Sequence, residues 1–199
     1  MSAAVGVFDL HADGTPPADP LVLARDWLPA DDDPDRPRAT LATVGTDGWP
    51  DARTVLLSAF DETGFAFHTS ATSRKVAELA AVPRAALVVL WEGFSRQLVV
   101  RGDVVPDSAE SLAAAWAARS DHLRRLAWCN TDELAALPRA DRVQRWAADH
   151  PAPGQADGWA GYRLQPRELT FWAAGDGAAS RRLQYTRDAG GWTWRFLAG

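Results

Sequence analysis

Three pairs of apolar runs rich in β-branched residues are joined by links too short for anything except a hairpin. RATLATVG leads through Asp47-Gly48 into DARTVLLSAF (51–60). DETG (61–64) separates that run from FAFHT (65–69), and EGFS separates RAALVVLW (84–91) from RQLVVRGDVV (96–105). Links this short imply antiparallel pairing, because a parallel crossover takes roughly a dozen residues or more. Three later runs, WAGYRLQPRELTFWAA, RRLQYTR and WTWRFL, have the same strand-like composition. About seven strands with helices falling between them predict a mainly β fold with some α. The expected architecture is a closed or partly open antiparallel barrel with peripheral helices.

The helices have their own signals. Asp19-Pro20 caps and opens a short amphipathic helix, with Leu21, Leu23, Ala24, Trp27 and Leu28 at helical spacing. TSRKVAELAAV reads as a second helix, with Val76, Leu79 and Ala80 as its buried stripe and Pro83 just past its end. DSAESLAAAWAARS, capped at Asp107 or Ser108, is a third, and a further helical region runs from about 120 to 149. Residues 1–18, rich in Gly, Pro, Asp and Ala, are expected to form a flexible arm. Residues 19–199 are expected to form one domain.

Charge and composition narrow the function. The formal net charge is −5 and no long basic run occurs, which argues against nucleic acid as a partner. No apolar run approaches the roughly 20 residues of a membrane helix, and no secretory signal opens the chain. Cys129 is the only cysteine, so no internal disulfide or zinc cluster can form. It reads as a buried small hydrophobe, and the expected location is cytoplasmic. The histidines lack ligand spacing, so no metal is expected. A GxSxG elbow and the glycine-rich nucleotide loops are also missing.

Of the 21 basic residues, Lys75 is the one lysine. It lies in Thr69-Ser70-Ala71-Thr72-Ser73-Arg74-Lys75, where a strand gives way to a helix. The first turn of a helix has free N–H groups and partial positive charge. With Ser73, Arg74 and Lys75 beside it, such a junction suits a dianionic phosphate. A plain cap with a solvated basic face is the bland alternative. Arg53 shares a strand face with Val55 and Leu57 and needs a partner there, either a carboxylate or a bound anion. Gln97, flanked by apolar residues, has an amide able to read an imide-like ring edge.

Taken in order, RTVLLSAFDETGFAFHTSATSRKVAEL, PRAALVVLW, RQLVVRGDV, ELTFWAAG and RLQYTR resemble the pyridoxamine 5′-phosphate oxidase family over roughly residues 20–199. The resemblance implies a six- to eight-stranded split barrel forming a homodimer, with FMN at the subunit interface. It implies that Arg53, Thr54, Val55, Leu56, Leu57 and Ser58 line the flavin and that His68 and Thr69 continue that wall. Ser73, Arg74 and Lys75 are expected to hold the phosphate, Gln97 to touch the ring, and Trp172 and Arg182 to supply later flavin contacts. The family usually has tyrosine at His68. Its Gln-Ser pair after the AWxS segment is replaced here by Asp132 and Glu133.

The substrate positions depart further. The family grips its substrate's phosphate with a lysine, a tyrosine, an arginine and a serine, and covers the ring with an arginine and a histidine. The matching residues here are Ser58, Ala115, Arg119 and Leu123, then Ala178 and Ser180, and Arg119 alone keeps the family's type. Arg119 pairing with Asp121 at the surface is its bland alternative. The resemblance therefore implies an FMN-dependent oxidoreductase, with flavin driving the chemistry and no catalytic dyad. Its expected substrate is a small aromatic or heterocyclic non-B6 molecule, and O2 is the expected acceptor. The alternatives are a true pyridoxine/pyridoxamine 5′-phosphate oxidase, a non-catalytic FMN-binding protein, and a barrel holding deazaflavin F420 in place of FMN.

Overall fold

A computed structural model of the chain describes residues 8–30, 33, 37–148, 158–175 and 177–199. Residues 1–7 of the expected arm, and Asp149 at the end of the last helical region, lie outside the described residues.

Eight strands form one antiparallel sheet: β1 (Arg38–Val44), β2 (Pro50–Asp61), β3 (Gly64–Ser70), β4 (Arg84–Leu90), β5 (Arg96–Pro106), β6 (Trp159–Ala173), β7 (Arg181–Asp188) and β8 (Gly191–Ala198). They lie in the order β3-β2-β1-β4-β5-β6-β7-β8, and β3 also pairs with β6. That extra pairing closes six strands into a barrel and leaves β7 and β8 as an extension. The three hairpin links read from the sequence are all present, in β1–β2, β2–β3 and β4–β5.

Alternation sets the core. In β1, Ala39, Leu41 and Thr43 point inward, and in β2 Val55 and Leu57 do so. The apolar four, Ala39, Leu41, Val55 and Leu57, share a core with Phe65 and Phe67 of β3, Leu87 of β4 and Leu98 of β5. Helix α1 (Pro20–Trp27) packs Leu23, Ala24 and Trp27 into this core. The Trp27 ring stands edge-on to Phe171 at 5.1 Å. As the sequence predicts, Asp19 caps α1, accepting the Leu21 N–H at 2.9 Å.

Four further helices follow β5: α3 (Ala109–Ala117), α4 (Asp121–Cys129), α5 (Asp132–Ala135) and α6 (Arg139–Ala148). Ser108 caps α3. Among the described residues no helix is long and apolar enough to cross a membrane.

Two expectations need correction. The stretch 8–18 is tied to the barrel: Tyr185 Oη donates to the Pro17 carbonyl at 2.9 Å, Arg181 donates to the Leu10 and Ala12 carbonyls, and Leu10 is buried. In α2 (Arg74–Ala81), Ala80 is exposed and Glu78 is fully buried beside Leu79. An ion pair, described below, draws Glu78 inward.

At Gly102 the pairing of β5 with β6 shifts register, next to Pro166. A Cβ there would meet the Gln165 carbonyl oxygen at 1.9 Å. Pro166, lacking an N–H, is tolerated at such an irregularity. Gly102→Ala is therefore expected to lower stability by about 2–3 kcal/mol, because backbone must move on both strands. Chemical denaturation measures this, and a loss well under 1 kcal/mol would show that the strands yield freely.

Candidate active site

Ser58, at the register shift between Leu57 and Ala59 of β2, meets His68 of β3 across the β2–β3 pairing. His68 Nδ1 lies 2.8 Å from Ser58 Oγ. The imidazole also stacks on Trp159, with centroids 5.4 Å apart and planes 7° from parallel. This stack depends on barrel closure, which pairs His68 with Gly161 and Ser70 with Trp159. The guanidinium carbon of Arg119 lies 4.2 Å from the centroid of the Trp159 indole. Arg119 donates to the Leu123 carbonyl at 3.0 Å, so its expected alternative partner, Asp121, is not what holds it.

These groups line a cleft of about 470 Å³ between the outer face of β2 and helices α3 and α4. Thr54, Leu56 and Ser58 form one wall, Ala115, Arg119 and Leu123 the other. Four of the six substrate positions inferred from sequence thus share one site. Ala178 and Ser180 do not join them: they lie in the β6–β7 connection, with Ala178 exposed.

A second cleft of about 750 Å³ adjoins the first through His68, Thr69, Lys75, Arg119 and Trp159. Here Lys75 Nζ donates to Thr69 Oγ1 at 3.0 Å and to Ser73 Oγ. Ser73 therefore stands at the cap position of α2 without capping it through its side chain. Because both hydroxyl oxygens accept from the ammonium, their protons are free to turn to an anion. Burial, with help from Arg53, lowers the Lys75 pKa, while Glu78 and Asp51 oppose the shift. Asp132 and Glu133 line the same cleft.

The arginines of the expected phosphate clamp are differently placed. Arg53 donates to Glu78 Oε2 at 2.6 Å, to Asp51 Oδ2 at 2.8 Å and to Thr43 Oγ1. Thr43 in turn donates to Glu78 at 2.6 Å. Arg74, two-thirds exposed, lies 3.0 Å from Glu78 Oε1 and 3.4 Å from Asp51. Of the two partners weighed for Arg53, the structure provides the carboxylate. Val55 and Leu57 face the core and offer the cleft their backbone.

Gln97, Trp172 and Arg182 meet elsewhere. Trp172 pairs with Gln97 on one side and Arg182 on the other, and together they line a separate hollow of about 220 Å³. Within one chain this hollow and the two clefts are distinct.

Electrostatics set the protonation of the site. The His68 pKa is pushed down to about 4: burial dominates, Arg119 and Arg163 act in the same direction, and Asp107 opposes them. Burial pushes Asp107 up, but hydrogen bonds from Ser111, Arg163 and the Ser108 N–H, with the charge of Arg163, outweigh it and hold the carboxyl below its ordinary value. Asp107, Trp159 and Glu78 escaped the sequence reading as site residues. Asp107 was legible only as a helix cap, and Trp159 only as a strand residue.

A closed six-stranded antiparallel barrel with a two-strand extension, and with a cationic, hydroxyl-lined cleft at a strand–helix junction, is the split-barrel class of fold. Residues 34–172 match the pyridoxamine 5′-phosphate oxidase family, and residues 159–198 match the pyridoxine 5′-phosphate oxidase C-terminal dimerisation region. The pyridoxine/pyridoxamine 5′-phosphate oxidase of Alkalilimnicola ehrlichii is 38% identical over 169 residues, covering 82% of this chain and 86% of that one. Its Caulobacter vibrioides counterpart is 35% identical over 202 residues, covering 93% and 89%. Among solved structures, PhzG from Burkholderia lata 383 in complex with tetrahydrophenazine-1-carboxylic acid superposes with a TM-score of 0.79 at 28% identity, covering 92% and 94%. The chain belongs to the pyridoxamine 5′-phosphate oxidase family and is an oxidoreductase of that flavin-dependent type.

Proposed function

We propose that this chain is an FMN-dependent oxidase, working as a homodimer, that acts on a small aromatic or heterocyclic acid lacking the phosphate of the B6 vitamers. The observation that carries this reading is that Ser58, Ala115, Arg119 and Leu123 face one cleft. The departures from the family's phosphate-gripping set therefore fall together, in the cleft that this reading assigns to the substrate. A hydrogen bond to a charged group is worth about 1.5–3 kcal/mol, so losing two or three weakens a phosphorylated substrate by about a thousandfold. Arg119 remains, enough for one carboxylate. PhzG, whose solved complex holds a tricyclic carboxylic acid, is a relative by fold and sequence that supports this substrate class.

The donor set fits FMN. Lys75, Thr69 and Ser73 converge at the start of α2 and would hold the phosphate, and the outer face of β2 would line the ring. Gln97, Trp172 and Arg182, which form their own hollow in one chain, would complete the flavin site across the dimer. The matched dimerisation region, which covers β6 to β8, supports that arrangement. Flavin, when bound, supplies the two-electron acceptor, and O2 would then take the electrons. The protein orients the substrate and excludes water.

The second reading, a true pyridoxine/pyridoxamine 5′-phosphate oxidase, is favoured by the names of the curated relatives. Peroxide release distinguishes the two once mass spectrometry of the released cofactor has identified FMN rather than F420. An unphosphorylated heterocyclic acid is expected to be turned over, with kcat/KM for pyridoxine 5′-phosphate about a thousandfold lower. Efficient turnover of pyridoxine 5′-phosphate would establish the second reading.

A further inference from the structure

The polarity of the Ser58–His68 hydrogen bond is settled by a third residue. Among the described residues His68 Nε2 makes no hydrogen bond, and it faces Asp107 Oδ2 at 3.6 Å. A neutral imidazole has one N–H and one lone pair. A lone pair on Nε2 would be aimed at a carboxylate oxygen in a buried site, where like charges repel strongly. A proton on Nε2 aims a positive end at the same oxygen. Nε2–H is therefore the favoured tautomer, and Nδ1 is left as an acceptor. The single proton of Ser58 then points at Nδ1, and Ser58 Oγ presents only lone pairs to the cleft.

We propose that Ser58, His68 and Asp107 together make this wall of the cleft an obligate hydrogen-bond acceptor, which selects a ligand with a ring N–H or O–H donor and turns away a phosphate ester. The proposal rests on the reading of this cleft as the substrate site, and it names what that site selects for. A lone serine is ambivalent, since its hydroxyl rotates to donate to a phosphate oxygen as readily as to accept. Here that rotation breaks the bond to His68 and leaves Nδ1 buried without a donor, a costly state. A phosphate placed at Ser58 therefore meets lone pairs where the family places a lysine ammonium.

The imidazole is also held in place. It stacks on Trp159, and a Cβ on Gly161 would come within 2.8 Å of His68 Cδ2. Both charged groups that act on it besides Asp107, Arg119 and Arg163, disfavour its protonation. Neutral His68 thus persists through ordinary pH. Arg119 supplies the cleft with a cation beyond the Ser58 wall. The ligand class is a flat ring acid with a donor on its edge.

The test is a binding measurement that needs no turnover. Pyridoxine 5′-phosphate is titrated against the flavin-loaded protein, or against apoprotein where no flavin is retained, with tryptophan fluorescence as readout. His68→Phe keeps an aromatic ring where the family usually carries tyrosine, and it frees the Ser58 proton. It is expected to tighten binding about tenfold. Adding Ser58→Ala to that variant is expected to abolish the gain. Asp107→Asn, whose amide can donate to Nε2, is expected to move binding in the same direction as His68→Phe. The ¹⁵N resonances of His68 should show a bare Nδ1 in the parent and a protonated Nδ1 in Asp107→Asn. Unchanged or weaker phosphate-ester binding in His68→Phe, or an Nδ1–H tautomer in the parent, overturns the proposal. Failure to retain flavin counts against the proposed function alone, because the apoprotein still reports the polarity of Ser58.

Discussion

Glu78→Ala is expected to melt about 10 °C below the parent chain. Removing one partner of a buried ion pair costs about 3–5 kcal/mol, since the other partner loses its compensation. For a domain of this size each kcal/mol moves Tm by about 2–4 °C. Glu78 has no exposed side-chain surface, and its Oε2 accepts from both Arg53 and Thr43. Its loss takes from Arg53 the buried one of the two carboxylates it pairs with, leaving Asp51, and leaves the buried Thr43 hydroxyl without its acceptor. Glu78→Gln retains an amide oxygen for those donors and loses only the charge, so a smaller drop is expected. Calorimetry on both variants checks the ordering. A Glu78→Ala shift under about 2 °C would mean that Arg53 finds an equally good partner elsewhere.

That network marks where the sequence ceases to be legible. Hairpins, caps and most core faces are local matters, decided within a few residues by turn chemistry and alternation. Asp47-Gly48, the Asp19 cap and the inward set of Val55 and Leu57 were readable for that reason. Helix α2 was misread at one position because periodicity assigns the buried stripe to apolar residues, and so to Ala80. The chain instead buries Glu78, whose partners lie on β1 and β2. Nothing within α2 announces a counter-ion supplied from a strand 25 residues earlier.

The cleft proposed for the substrate has the same history. Ser58, Ala115, Arg119 and Leu123 were found by position in a known pattern, and all four share the cleft. Asp107 and Trp159 were not found, because their roles arise only when β3 closes on β6. That pairing sets residues some ninety positions apart side by side, His68 against Gly161 and Ser70 against Trp159. Composition carries no trace of such a contact. The stretch 8–18 was likewise read from its glycines and prolines. Its anchors are backbone carbonyls accepting from Arg181 and Tyr185, and a carbonyl is present in every residue.

Lys75→Met is expected to weaken FMN binding about a hundredfold while leaving riboflavin affinity near that of the parent. The difference between the two ligands is the phosphate, and Lys75 is the ammonium that the clefts hold ready for it. It sits between Thr69 and Ser73 and donates to both hydroxyl oxygens. Losing it removes a charge-assisted hydrogen bond worth about 1.5–3 kcal/mol and releases the two hydroxyls it orients. Arg53 and Arg74 are poor substitutes, since Glu78 and Asp51 already engage both. The pH dependence has a definite sign. Burial lowers the Lys75 pKa in the free protein, whereas a bound dianion favours the charged ammonium. FMN affinity should therefore fall as pH rises through that lowered value, with a proton taken up on binding above it. Lys75→Arg keeps a charge that does not titrate and should flatten the alkaline fall. Flavin fluorescence quenching, titrated at several pH values with FMN and riboflavin in parallel, reads all of these outcomes. Equal losses for the two ligands in Lys75→Met would place the phosphate away from Lys75 and remove the clamp from the start of α2.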